Sequence, residues 1–275
     1  MSSALSTDQY REQIWAELAK VARPDSRFHW DFSSFICDFI GSEKCSDRVL
    51  ELDALTHRGD RQVFITPDNC LEDLRYKLIQ RGIPFVMTTY GIVRGFYRLD
   101  PATIPVSDHH YAATLDGFDR YAVAMPLAEL QKGNKFSLLV TGGSAVSNNG
   151  VRFGKGHGYF DFEWAVLSEL GLTDSSSVVA DVVHEGGELI EVQRIDTVGR
   201  AERQAHTVQA DGVVFTAFAQ HCECSTTGRE EVFGMDFDEV QGGLLCEQRR
   251  VMGVPPADAH SGHGRRRGRC RHGGL

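Results

Sequence analysis

The chain has 275 residues, 41% of them hydrophobic and 24% charged, with a formal net charge of −9. That length suffices to bury roughly three quarters of the unfolded surface around a full core, and the composition excludes collagen, coiled coil and wholesale disorder. No apolar run approaches the ~18 residues of a membrane helix, and the opening Met1-Ser-Ser-Ala-Leu-Ser-Thr carries neither a basic nor an apolar stretch, so a soluble cytoplasmic protein is expected.

In chain order, Ser6-x-x-Gln9 reads as a capping box, followed by Tyr10, Ile14, Trp15, Leu18 and Val21 at helical spacing. Arg61 to Thr66 predicts a short strand. Thr66-Pro67-Asp68 then offers a cap, an N1 proline and an acid at a helix start. The helix so begun carries Leu71, Leu74, Leu78 and Ile79 on one face and stops near Gly82, and Pro84 to Thr88 predicts the next strand. Phe136 to Val140 is an apolar strand, and a glycine-rich loop separates it from a helix over Phe162 to Leu170 that Gly171 ends. Val178 to Val183 and Gly212 to Phe218 predict further buried strands. Strands alternating with helices imply an α/β fold with a parallel-rich sheet and helices on both faces. Ligands on such sheets bind at the carboxyl ends of the strands, where the glycine-rich loop falls.

Beyond about residue 220 the periodicity is lost, so the expected organisation is an α/β domain over 1–220 and a poorly patterned extension over 221–275. From Glu247 onward stand seven arginines and two acids, a formal +5, which leaves −14 on the 246 residues before it. An acidic body argues against a nucleic-acid surface on the folded part. The Arg/Gly/His tail from about residue 260 has almost nothing apolar to bury and is expected to be a disordered, solvated tail without a specific partner, with RNA binding through phosphates and stacking as the alternative.

Seven scattered cysteines, at 37, 45, 70, 222, 224, 246 and 270, predict free thiols rather than a disulfide framework. His221, Cys222 and Cys224 make half a zinc site with no second pair to complete it. Asp108-His109-His110 is read as an extended segment whose adjacent imidazoles face apart and cannot share one ion. Asp181, His184 and Glu185 fall on or just after a strand near the glycine-rich loop. Ser144 and Ser147 lack the Gly-x-Ser-x-Gly elbow of a serine hydrolase.

Chemistry concentrates in Gly150-Val-Arg152-Phe-Gly154-Lys155-Gly156-His157-Gly158-Tyr159-Phe-Asp161. Alternating Gly154, Gly156 and Gly158 directly before a helix let bare amides turn toward a phosphate, and the helix N-terminus adds partial positive charge. Arg152 and Lys155 add formal charge. Asp161 is a hard oxygen ligand suited to magnesium. His157 sits between glycines as a phosphate donor or a solvent-facing spectator, and Tyr159 stacks on a ligand or packs beneath the loop. The spacing matches neither a Walker A loop nor the dinucleotide fingerprint.

The same residues resemble the signature of the 5-formyltetrahydrofolate cyclo-ligase family, Gly-x-Arg-x-Gly-x-Gly-x-Gly-Tyr-Tyr-Asp. A weaker resemblance runs from about Tyr10 to Phe218 and includes Arg11-x-x-Ile14-Trp15. The resemblance implies an α/β domain related to the sugar-phosphate isomerase and CoA-transferase type of fold, with ATP and magnesium on the loop and a reduced folate beside it. Its reaction converts 5-formyltetrahydrofolate to methenyltetrahydrofolate. Carried over, Gly154, Lys155, Gly156, His157, Gly158, Tyr159 and Arg11 would bind the nucleotide, Arg152 would neutralise its phosphates, and Asp161 would hold magnesium. Three positions depart: the family's lysine before Arg11 falls on Thr7, its folate-binding glutamate has no counterpart in Asp68-Asn69-Cys70-Leu71, and its arginine after Asp161 is Phe162. The loop looks most like a divergent branch, for which another phosphorylated ligand, a nucleotide or a thiamine-type cofactor, is the alternative.

Overall fold

The computed structural model describes residues 7–25, 27–146 and 152–184, with Thr7, Asp8 and the strands at 203–210 and 213–220 given by their backbone alone. The helices are α1 (Thr7–Leu18), α2 (Ser42–Glu51), α3 (Asp53–Thr56), α4 (Glu72–Gln80), α5 (His109–Ala113), α6 (Leu115–Tyr121), α7 (Leu127–Leu130) and α8 (Tyr159–Glu169). The strands are β1 (Gln62–Ile65), β2 (Phe85–Thr88), β3 (Phe96–Leu99), β4 (Val123–Ala124), β5 (Phe136–Gly142), β6 (Ala145–Val146), β7 (Arg152–Phe153), β8 (Val178–His184), β9 (Arg203–Ala210) and β10 (Val213–Gln220).

Eight strands form one sheet in the order β4-β3-β2-β1-β5-β8-β10-β9. Its middle is parallel: β1 pairs β2 and β5, and β5 pairs β8. Both flanks are antiparallel, β3 and β4 at one side and β10 and β9 at the other. β6 and β7 make a separate two-stranded ribbon that brackets the glycine-rich loop's approach. The expected α/β architecture is therefore present, with a parallel centre and antiparallel margins.

Strand periodicity divides the core. Val63, Ile65, Leu138, Val140, Ala180 and Val182 face a cluster filled by Val49 and Leu50 of α2 and by Leu71, Leu74, Leu78 and Ile79 around α4. Phe64, Leu139 and Val179 face the opposite cluster, where Trp164, Val166 and Leu167 of α8 pack. Both faces of the central strands are thus covered, as continuous apolar runs require. A third cluster joins Ile14 and Leu18 of α1 to Phe32, Phe35 and Ala145, setting α1 beside the β6–β7 ribbon.

Two local expectations are corrected. The helix after β1 does not start at Thr66-Pro67-Asp68: Thr66 continues the strand, its N–H reaching Val140 O at 2.9 Å, and a 3-10 turn over Asn69–Leu71 precedes α4. The Thr66 hydroxyl and the Gly142 N–H both donate to Asp68 Oδ2, which draws that carboxylate toward β5 instead of the helix end. The segment holding His109 and His110 is helical, not extended, and His110 lies edge-on to Tyr76. Cys37, Cys45 and Cys70 are free and buried, as expected. Ser6, Ser147, Gly150, Glu185, the His221–Cys224 group and the basic tail lie outside the described residues.

Candidate functional site

The site forms where β1, β2, β5 and β8 end at their carboxyl side and the loop from Arg152 to Gly158 crosses above them. Gly156 and Gly158 have φ of +96° and +66°, the left-handed region that favours glycine. Gly158 is also the N-cap of α8, so the loop's bare amides and the helix N-terminus share one end. A Cβ on Gly156 would stand 2.9 Å from Arg11 Nη2, so α1 presents its guanidinium directly against the loop. Residues 145 sequence positions apart are thereby brought together.

Arg152 leaves β7 and turns inward. Its Nη2 donates to Gly142 O at 2.6 Å and to Thr141 Oγ1 at 3.0 Å, and its Nε stands 3.0 Å from Asp181 Oδ2. Phe160 lies under the guanidinium, 5.4 Å from the ring centre. Lys155 takes a different course: its Nζ lies 4.5 Å from the Tyr90 ring centre and 5.0 Å from that of Tyr159, and it donates to Tyr90 Oη at 3.3 Å. Desolvation lowers the Lys155 ammonium below its ordinary value. Tyr159 therefore packs beneath the loop against Lys155, with the His157 ring 5.6 Å away. His157 is exposed, its Nε2 3.1 Å from Ser33 O, and Asp161 is exposed in the first turn of α8.

Three carboxylates behind this cationic front were not among the residues assigned to the site from sequence. Asp68 closes the end of β1. Glu163, 2% exposed, accepts a hydrogen bond from the Thr88 hydroxyl at the end of β2. Asp181, fully buried on β8, faces Arg152. Burial raises the Glu163 carboxyl to about 8, against the opposing pull of the Thr88 bond, Lys155 and Arg152. Burial also raises Asp181 to about 7, with Arg152 pulling it down and Asp68 adding to the rise. Groups so perturbed cluster at functional sites. Position in the chain hinted only at Asp181; Glu163 stands inside an otherwise apolar helix stripe and carries no local signal.

The remaining candidates lie elsewhere or do other work. His184 packs edge-on against Phe39, 5.5 Å between ring centres. Ser144 is buried, its N–H bonded to Phe153 O at 2.7 Å. Phe162 is buried in the α8-side core. Among the described residues no three His, Cys, Asp or Glu side chains gather around one point, and no helix is long and apolar enough to cross a membrane.

With this geometry in place, comparison with known proteins gives one family. The family model described as 5-formyltetrahydrofolate cyclo-ligase family matches residues 4–195, and the chain belongs to that family. The chain is similar to the methenyltetrahydrofolate synthase domain-containing proteins of Homo sapiens, at 28% identity over 183 residues, 66% of this chain and 46% of that relative. The Bos taurus protein of the same name is 25% identical over 185 residues, 66% of this chain and 47% of the relative. That of Danio rerio is 26% identical over 182 residues, 64% and 44% respectively. The chain thus spans a little under half the length of these relatives. No solved structure matches it.

Proposed function

We propose that this cyclo-ligase family member couples ATP to the ring closure of 5-formyltetrahydrofolate, releasing methenyltetrahydrofolate, ADP and phosphate. The observation that carries the reading is the loop itself: two left-handed glycines at the N-cap of α8, with Arg11 on one side and Arg152 on the other. An anion with several oxygens suits such a seat, because it meets bare amides, a helix dipole and two guanidiniums at once.

In this reaction the formyl oxygen takes the γ-phosphoryl group, N10 attacks the formyl carbon, and phosphate departs as the C–O bond breaks and N10 loses its proton. The protein supplies charge neutralisation and positioning. Arg152 offsets the charge that develops on the transferring oxygens, and the loop amides fix the polyphosphate. Asp161, exposed in the first turn of α8, has the oxygen chemistry to hold magnesium, which commonly takes one or two carboxylates and completes its shell with phosphate and water. Such an ion would supply positive charge to offset that of the polyphosphate. Lys155, seated between two tyrosine rings, stands ready as a further cation at the loop's edge.

Mixing the protein with ATP, magnesium and 5-formyltetrahydrofolate tests this: methenyl absorbance should rise in step with ADP. A flat trace with no ADP rejects it. One observation favours a second reading, a nucleotide or thiamine-type pyrophosphate bound without ring closure. Phe162, where the family has arginine, is built into the core and presents a ring instead of a cation. Thermal-shift measurements separate the two readings, since stabilisation by a thiamine pyrophosphate exceeding that by ATP with folate selects the second.

A further inference from the structure

Asp181 occupies an unusual place for a carboxylate: halfway along β8, opposite Thr141 near the carboxyl end of β5, with no exposure to solvent. Among the described residues its ion-pair partner is Arg152, whose Nε lies 3.0 Å from Oδ2. The backbone is shaped around it. A Cβ on Gly143 would stand 2.6 Å from Oδ2 and 2.8 Å from Oδ1, so the carboxylate fits only because residue 143 has no side chain. A buried ion pair of this kind is a weak source of stability, and apolar residues of similar volume often serve as well. Orientation is the better account of it.

Arg152 shows which orientation. Nε stands 3.0 Å from Asp181 Oδ2 as a charge contact without hydrogen-bond alignment, and Nη2 is engaged by Thr141 Oγ1 and Gly142 O. Nη1 is slightly the nearer of the two terminal nitrogens to Gly154, 3.4 Å against 3.6 Å for Nη2 from where a Cβ there would be. A planar guanidinium fixed along one edge has its other edge fixed too. We propose that Asp181 is a positioning residue that sets the Arg152 guanidinium with Nη1 facing the anion seat. The claim rests on the nucleotide reading above and adds to it a second-layer carboxylate that acts through Arg152 alone.

Calorimetry with ATP and with pyrophosphate on the full chain, together with 15N NMR of the arginine Nε–H groups, tests the claim. The Arg152→Ala variant assigns the Arg152 signal. Asp181→Asn should weaken ATP at least tenfold, release the restricted motion of the Arg152 Nε–H seen by 15N relaxation, and add no further weakening in an Arg152→Ala background. Thr141→Val, which removes one Nη2 partner and preserves side-chain shape, should weaken ATP about threefold and covers the case in which Asp181→Asn fails to fold. Wild-type affinity in either variant, or losses that add in full to those of Arg152→Ala, would overturn the proposal. Should the wild type bind neither ATP nor pyrophosphate, the nucleotide reading falls, and 15N relaxation alone decides: a guanidinium released in Asp181→Asn supports positioning, one as restricted as in wild type rejects it.

Discussion

The two ends of the central strands each carry an arginine–aspartate pair, built under opposite conditions. At the amino ends, Arg61 donates to both oxygens of Asp174, at 3.1 and 2.9 Å, and to Phe136 O at 2.8 Å, lacing together the starts of β1, β5 and β8. Both partners keep some solvent, 25% and 29% of their side chains, and the Arg61 hydrogen bond holds the Asp174 carboxyl well below the usual range. At the carboxyl ends Arg152 pairs with Asp181, which has no exposure, and there burial wins and the carboxyl is raised. Glu163 nearby is raised too. One end of the sheet spends its charges on holding strands together. The other keeps charges in a condition that weakens the fold, the usual cost of a site that must meet a ligand.

The largest expected effect falls on the carboxyl end. Arg152→Ala should lower ATP-dependent formation of the methenyl product by about 10³-fold, the scale seen for a transition-state arginine, measured as kcat/KM for ATP. A loss under tenfold would erase the distinction between the two arginines. Next comes pH. A carboxyl whose folded value is raised destabilises the fold once pH exceeds its unfolded value near 4, and the penalty grows until pH passes the folded value. With Glu163 at about 8, stability should fall between pH 5 and pH 8 by on the order of 3 kcal/mol from this group. Glu163→Gln should flatten that slope in urea unfolding; an unchanged slope would place the penalty elsewhere.

Much of this contrast is invisible in the sequence, for a physical reason. β1, β2, β5 and β8 are legible because strands buried on both faces are mostly apolar, with Asp181 the one charge inside β8, and the glycine loop is legible because alternating glycines have few other uses. Glu163 is not, since its inward turn depends on Thr88, 75 residues earlier, and on a sheet edge that exists only after folding. Asp68 misleads: next to proline it reads as the acid of a helix start, whereas the Gly142 N–H claims its carboxylate. α2 escapes notice because its buried positions, Cys45, Val49 and Leu50, are few among charges. β10 is legible as a strand, but its antiparallel direction follows from the chain's path and not from its residues.

The amino end offers the converse test. Arg61→Ala should reduce stability at pH 7 by about 1 to 2 kcal/mol, since it removes charge-assisted bonds that are only partly screened. Asp174 has a lowered folded value, so its contribution is present above pH ~4 and disappears as pH falls further. The gap between wild type and variant should therefore begin to narrow below pH ~4 and persist in large part at pH 3, closing only under more strongly acid conditions, while nucleotide affinity stays the same in both. A change in affinity would mean that the two ends are coupled through the strands.

The smallest effect is the most discriminating, because it compares one substitution at both ends. Gly82, before β2 at the amino end, has φ of +67° and open space where a Cβ would go. Gly156, in the loop, has φ of +96° and the Arg11 guanidinium 2.9 Å from that point. Alanine at either position takes on left-handed strain of about 1 kcal/mol, so the two variants should lose similar stability in thermal unfolding. They should part in calorimetry. Gly82→Ala leaves ATP affinity untouched, whereas Gly156→Ala must push the Arg11 head group aside and tilt the neighbouring amide, and should weaken ATP about tenfold, or ~1.4 kcal/mol. The Arg11 tip is flexible and can yield, so a stability loss far above that of Gly82→Ala would show instead that the loop is held by packing rather than shaped for an anion.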